Sequence, residues 1–245
     1  MLRKLCKKVV YHCVVAASLM ASPLILSSHT LAQTSTKNIS DARSQASQRH
    51  YVALPSHMSV APTTDESRAP IGWVQFCRDM PSECTLNEKE PEFITLTSQV
   101  WRNLQKTNSD VNKAIQPMTD IEHHGVPELW SLPTDGKGDC EDYALLKRKQ
   151  LAEMGIPRRA LLMTVVIDDQ GGHAVLTVRT NRGDFILDNK RNAILSWDAT
   201  GYRFVKREAQ HKNANAQAAS SQGANAQGGW VALGDPGPAI STAGR

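Results

Sequence analysis

The sequence predicts an α+β domain, with helices first and an antiparallel sheet after them. Three observations carry this expectation. Between residues 93 and 106, Ile94, Leu96, Val100, Trp101 and Leu104 recur at three- and four-residue steps, as on one face of a helix. A second segment, about 140–154, opens after Asp139, a good N-cap residue, and closes before Gly155 and Pro157. Beyond it the pattern changes to short, apolar, β-branched runs separated by Gly- and Asp-bearing turns. Helical period followed by strand period is the signature of segregated helices and sheet.

Taken in order, residues 1–32 read as a cleavable signal peptide. Arg3, Lys4, Lys7 and Lys8 precede an apolar run from 9 to 26, and Thr30-Leu31-Ala32 supplies small residues near a cleavage point. Tyr11, His12, Ser18 and Ser22 dilute the run, which is short for a membrane span. The chain is therefore expected to be exported. Residues 33–70 are polar and aperiodic and read as a flexible linker. Residues 71–208 hold the strong patterns. Residues 209–229 are low in complexity, and 230–245 form a C-terminal tail whose Trp230, Val231 and Leu233 could dock back.

Loss of the leader removes four of 28 basic residues and leaves 24, matching the 24 acidic ones. The apparent basicity belongs to the leader, so no nucleic-acid partner is expected.

Inside the domain, residues 107–135 look irregular because Pro117, Gly125, Pro127 and Pro133 interrupt them. On the second helix, Tyr143, Ala144, Leu151 and Met154 share a face with Cys140. Lys147 falls on that face too, with its stem packed and its ammonium expected to escape. Strands are expected at 161–167, 173–178 and 185–187, with turns at 168–172 and 180–184. Residues 194–197 and 202–205 suggest further strands.

The mature chain keeps three cysteines, Cys77, Cys84 and Cys140. Cys77 and Cys84 flank the Met80-Pro81 turn, and a disulfide between them would add roughly 2.5 kcal/mol on the chain-entropy account. Cys140 would then be left free, either as a buried structural thiol or as a nucleophile. Its predicted place at a helix start favours the thiolate. The glycines of Gly136-Lys137-Gly138 would let a substrate backbone approach, and helix-start N–H groups could stabilise an oxyanion. Among the histidines, His173 begins a strong strand after a Gly-Gly turn. Asp188 ends the next strand, where a hairpin partner can hold the imidazole. Either residue alone has an ordinary structural reading. The ordered set is the signal: thiol at a helix start, imidazole on one strand, carboxylate on the next.

Gly138-Asp139-Cys140-Glu141-Asp142-Tyr143-Ala144, His173-Ala174-Val175-Leu176 and Leu187-Asp188-Asn189 resemble the bacterial transglutaminase-like cysteine peptidases. Phe76-Cys77, Pro81, Cys84, Val111-Asn112 and Trp130 fit the upstream pattern of that family. The resemblance covers about 71–208. It implies a papain-like, transglutaminase-like fold and catalytic roles for Cys140, His173 and Asp188. It also implies a periplasmic address, a calcium requirement and proteolysis of a large surface adhesin, which frees cells from a biofilm. Family members can be restrained by an inhibitory inner-membrane receptor for cyclic di-GMP.

Calcium also has a physical argument. Asp139, Glu141 and Asp142 crowd the thiol and would repel its anion, and a hard cation held by carboxylate oxygens would cancel that repulsion. Helix capping and dipole complementation account for the same three residues without a metal. Two other functions fit the sequence. One is transglutaminase- or amidase-type acyl transfer, with an amine resolving the thioester. The other is a non-catalytic binding module of the same fold. The basic run Lys147-Arg148-Lys149 has no place in the pattern.

Overall fold

A computed structural model describes residues 53–56, 58–211 and 229–234. The expected leader, much of the expected linker, residues 212–228 of the low-complexity segment and residues 235–245 lie outside the described residues. The elements in chain order are β1 (Thr63–Ser67), α1 (Ile71–Asp79), α2 (Pro81–Cys84), α3 (Ser98–Ala114), β2 (Gln116–Pro117), α4 (Asp120–His124), β3 (Lys137–Gly138) and α5 (Cys140–Glu153). Six strands follow: β4 (Leu161–Asp168), β5 (Gly171–Thr180), β6 (Gly183–Asp188), β7 (Arg191–Ser196), β8 (Arg203–Glu208) and β9 (Trp230–Leu233).

The first long helix starts later and ends later than its apolar period suggests. Thr97 caps α3 by accepting a bond from Val100 N at 3.2 Å. Ile94 is instead tied to the end of β5 and the residue after it, through Ile94 N to Arg179 O and Asn181 N to Ile94 O. At the other end the buried stripe runs on through Thr107, Asn108 and Val111. Two polar members hid that continuation. The stretch expected to be irregular also holds α4, closed at its start by a reciprocal Thr119/Glu122 capping box and at its end by Gly125 at φ 72°. The catalytic-helix expectation fits α5 within a residue.

Among the described residues a seven-stranded sheet runs β1-β9-β8-β4-β5-β6-β7, every pairing antiparallel. Helices cover one face, where Trp101, Leu104, Leu145 and Leu151 meet Met163, Leu176, Phe185 and Leu187. On the other face Val166, Val175 and Ile186 lie with Trp197, Tyr202 and Phe204. Helices segregated to one face of an antiparallel sheet, of which only β1 precedes them in the chain, give the α+β class.

The domain is larger than 71–208. Residues expected to be linker and tail form β1 and β9, which pair with each other, and β9 pairs with β8. Ser59 O accepts from Asp184 N at 2.8 Å. Backbone pairing needs no apolar alternation, and the Thr-Thr-Asp-Glu-Ser side chains of β1 are mostly exposed, so the composition gave no strand signal. Trp230 does dock back. It is buried in a three-tryptophan cluster with Trp73 and Trp130, centroids 6.0–6.4 Å apart. Gly72 is required beside that cluster, since a Cβ there would lie 2.3 Å from Trp130 Cδ1. Cys77 and Cys84 are disulfide-bonded, which ties α1 to α2.

The basic run resolves into three separate roles. Arg148 is buried and donates to Glu208, Leu161 O and Glu83 O, with its guanidinium over Trp73. Lys149 is partly exposed and pairs with Glu83 and Glu153. Lys147 does not escape to solvent as expected; it is 0% exposed. Removing Arg148 strands the buried Glu208 carboxylate. Arg148→Ala should therefore cost about 3–5 kcal/mol and Lys149→Ala less than about 1 kcal/mol, both read by urea unfolding. Equal losses would contradict the assignment.

Candidate active site

The start of α5 is placed by two short contacts. Parallel pairing of Gln116 with Lys137 and Pro117 with Gly138 brings the end of α3 beside the start of α5. Gly138 is needed there for a reason other than substrate approach: a Cβ on it would sit 2.4 Å from Asp142 Oδ2. Cys140 is the first helical residue and a free thiol. Its Sγ accepts from Ala174 N at 3.4 Å and lies 3.1 Å from Glu141 Oε2. Burial pushes the thiol well above its ordinary range, and the charges of Glu141 and Asp139 push it further.

Ala174 follows His173 on β5, so the Sγ contact joins the thiol to the histidine-bearing strand. The Leu176–Leu187 register of β5 and β6 places Asp188 at the same end of the sheet as His173. Diagonal neighbours on one sheet face can meet through their side chains. Here His173 Nε2 lies 2.9 Å from Asp188 Oδ1, both side chains being 1% exposed. That contact commits Nε2 to Asp188 and leaves Nδ1 as the second ring nitrogen. Cys140 and His173 line one cleft of about 280 Å³, with Trp130, Glu128, Val165 and Lys206 among its walls.

Asp188 has further donors that the sequence did not reveal. Tyr202 OH donates to Oδ2 at 2.6 Å, Lys190 N donates to Oδ1 at 2.9 Å, and Arg191 Nε is 3.3 Å from Oδ2. Asn112 Nδ2 donates to its backbone carbonyl at 2.9 Å. Burial raises the carboxyl's affinity for a proton, but the bonds from His173, Tyr202 and Lys190 outweigh it and hold Asp188 at about 2. A lone tyrosine in a strand pattern carries no sign of this role.

The acidic group differs in one member from the sequence expectation. Oxygens of Asp120, Asp139 and Glu141 lie within 4.8 Å of one another. Asp142 is turned elsewhere, accepting from Ser131 N at 2.9 Å and lying against Gly138. Asp120 arrives through the β2–β3 pairing, with Met118 N bonded to Gly138 O. That pairing is non-local, so spacing could not show it. Asp139 occupies the N-cap position of α5 but makes no side-chain cap bond, and its Oδ1 is buried without a partner. Burial, then the Asp139 charge, raises Glu141. Asp142 is pushed to about 7 by burial, with the Asp139 and Asp120 charges adding to it against the Ser131 bond.

Two outcomes check this geometry. Tyr202→Phe removes a hydrogen bond to a charged group and should cost about 1.5–3 kcal/mol of stability. Asp188 sits below its ordinary value of 3.8, so its ionised form stabilises the fold above that pH, and the contribution is lost as pH falls toward about 2. Unfolding of the wild-type chain should therefore steepen with acid across that window more than unfolding of Asp188→Asn. Parallel curves would show that Asp188 is not held ionised.

A family model described as bacterial transglutaminase-like cysteine proteinase, BTLCP, matches residues 63–224, more than half of the chain. Three solved structures from Legionella pneumophila are similar. Calcium-bound LapG is 28% identical, with 46% of this chain and 67% of that chain covered and a TM-score of 0.41. LapG is 28% identical, with 46% and 66% covered and a TM-score of 0.40. EGTA-treated LapG is 29% identical, with 46% and 65% covered and a TM-score of 0.40. The chain thus spans about two thirds of the length of these structures. No curated protein matches it. The extent of the family match, on a chain with this fold and this cleft, shows that the protein belongs to the bacterial transglutaminase-like cysteine proteinases and is a cysteine peptidase.

Proposed function

We propose that the protein is a calcium-dependent endopeptidase of the periplasm in which Cys140 is the nucleophile, His173 the general base and Asp188 the group that orients the base. One observation carries the reading: the His173–Asp188 contact of 2.9 Å, with the Cys140 sulfur bonded to the very next residue on β5. With Nε2 held by Asp188, Nδ1 takes the thiol proton. The sulfur then attacks a peptide carbonyl, and N–H groups of the first turn of α5, which lack intrahelical partners, receive the developing oxyanion. The imidazolium returns its proton to the leaving amine. Water, deprotonated by His173, then hydrolyses the thioester and restores the thiol.

Asp120, Asp139 and Glu141 would hold calcium. An all-carboxylate donor set suits a hard cation, and the unpartnered Asp139 Oδ1 is a ready ligand atom. When bound, the ion supplies positive charge that offsets the carboxylates crowding the thiol. The periplasmic address rests on the leader-like segment 1–32, and a disulfide is at home in that oxidising compartment. Among the described residues no helix is long and apolar enough to cross a membrane. A large surface adhesin as substrate, with biofilm release as its consequence, and restraint by a cyclic di-GMP receptor follow from the family resemblance of the motifs.

The experiment incubates the mature chain with surface proteins of the same cell, with added calcium or with excess EGTA, followed by sequencing of new termini. Cleavage should give two new termini per cut, stop in EGTA and return with calcium. Cys140→Ala and His173→Ala should each lower the rate by at least about a thousandfold while leaving the fold intact. Undiminished cutting by Cys140→Ala sinks the nucleophile assignment, full activity in EGTA sinks the calcium requirement, and a new isopeptide bond shows transfer in place of hydrolysis.

A further inference from the structure

The proposed chemistry occupies one end of the cleft and leaves the other end without a role. Strand register lays out the floor between them. Val165 on β4 pairs directly with Ala174 on β5 and with Lys206 on β8, and all three line the cleft. Residues directly opposite one another in antiparallel strands project from the same face. Val165 packs against the core that the helices cover, so this row lies on the helix side of the sheet, where α5 delivers Cys140. The Cys140 sulfur marks one end of the row, through its bond from Ala174 N at 3.4 Å. Lys206 marks the other, two strand spacings from Ala174, or about 10 Å.

Lys206 is partly buried, and its Nζ donates to Arg68 O at 2.9 Å. That carbonyl is neutral and takes only one of the ammonium's donors. Among the described residues no carboxylate is paired with Lys206. Of the two acidic residues that line the cleft, Glu128 accepts from Trp130 Nε1 at 2.7 Å and Glu141 lies beside the sulfur. Between the thiol and the lysine the floor is Ala174 and Val165, with Pro70 in the wall, and none of these carries charge. Burial disfavours the Lys206 ammonium, and a carboxylate brought beside it would offset that cost. The cleft thus leads from the nucleophile across an apolar floor to a cation that lacks an anionic partner.

An extended chain advances about 3.3 Å per residue, so the length of the row corresponds to about three residues of substrate. We propose that Lys206 is a specificity-determining residue: the cleft selects peptides with an aspartate or glutamate about three residues from the scissile bond, whose carboxylate the Lys206 ammonium receives. The inference rests on the proposed role of Cys140 and names the class of substrate that role would serve. A purely structural lysine predicts something different. If Lys206 only ties Arg68, and with it the nearby Pro70 wall, to the sheet, its loss weakens turnover of every peptide alike. The sequence preference would then stay as it was.

The test incubates chymotryptic peptides of a bacterial lysate with the mature chain and calcium and sequences the new termini. Wild-type cuts should be enriched in Asp or Glu at one position, about three residues from the cut. Two peptides are then made from one such site, differing only as Glu or Gln at that position. Their kcat/KM should differ at least about threefold in favour of Glu, the scale of a single ion pair, and the ratio should shrink in high salt. Lys206→Arg should keep the ratio, Lys206→Met should bring it close to one, and Lys206→Glu should invert it and favour a third peptide with Lys there. Wild-type cutting without an acidic preference, or a ratio that survives both Lys206→Met and Lys206→Glu, overturns the proposal and leaves the nucleophile assignment standing. If those two variants do not fold, the wild type decides: a Glu/Gln ratio of one, or a ratio unmoved by salt, overturns the idea. If the wild type cuts no peptide in calcium, the endopeptidase reading fails and the role of Lys206 with it.

Discussion

A carboxylate that is buried yet ionised organises one end of the sheet. Asp188 is kept charged by donors from separate parts of the chain: His173 on β5, Lys190 in the turn after β6, and Tyr202 just before β8. Asn112 from α3 fixes its carbonyl. An anion removed from water must keep such partners, because leaving a buried charge unpaired costs several kcal/mol. The β5–β6 register, the 188–191 turn and the approach of α3 are therefore coupled. A slip of one residue would move Asp188 to the opposite face and leave both it and His173 without their mutual bond.

The thiol side of the cleft breaks a local rule where the carboxylate side obeys one. A helix start favours an anion, and Asp139 sits at the position where it could cap α5. Its carboxylate declines that role and faces Asp120 and Glu141 instead. The result is a cysteine whose proton is held tightly at the one place where a helix would loosen it. Such a cluster is unfavourable by itself, and the cation proposed to lie between the carboxylates would remove the conflict. The tension in the charges and the donor chemistry point in the same direction, and both rest on Asp139 and Glu141.

The sequence made Cys140, His173 and Asp188 legible because each sits at an element boundary with a local signal. Asp139 with Gly155 bounds a helix, Gly171-Gly172 opens a strand, and the hairpin spacing returns Asp188 to His173. What was hidden depended on pairing across distance. β1 has polar, exposed side chains and joins the sheet only through its backbone. Asp120 joins the carboxylates only because two-residue strands meet. Thr107 and Asn108 concealed the last turns of α3 because a buried stripe is expected to be apolar. The turn and capping chemistry of Thr119 and Glu122 was present in the sequence but was masked by the prolines around it.

Lys147 and Arg148 show how burial of charge can mean two different things on one helix. Arg148 points toward α2 and β4 and has every advantage a buried cation needs: a carboxylate, two carbonyls and an indole face. Its burial is explained by the contacts it makes. Lys147, the preceding residue, faces the opposite layer and has none of these. Natural sequences keep local choices consistent with the fold except where function requires otherwise. Near Lys147 on the same helix, Tyr143 packs with Val111 and Ile115 as an ordinary core. On one helix, therefore, a paired cation is secured by the bonds it makes, while an unpaired one is kept in place by the packing around it and has its charged form disfavoured by burial, as Lys147 does.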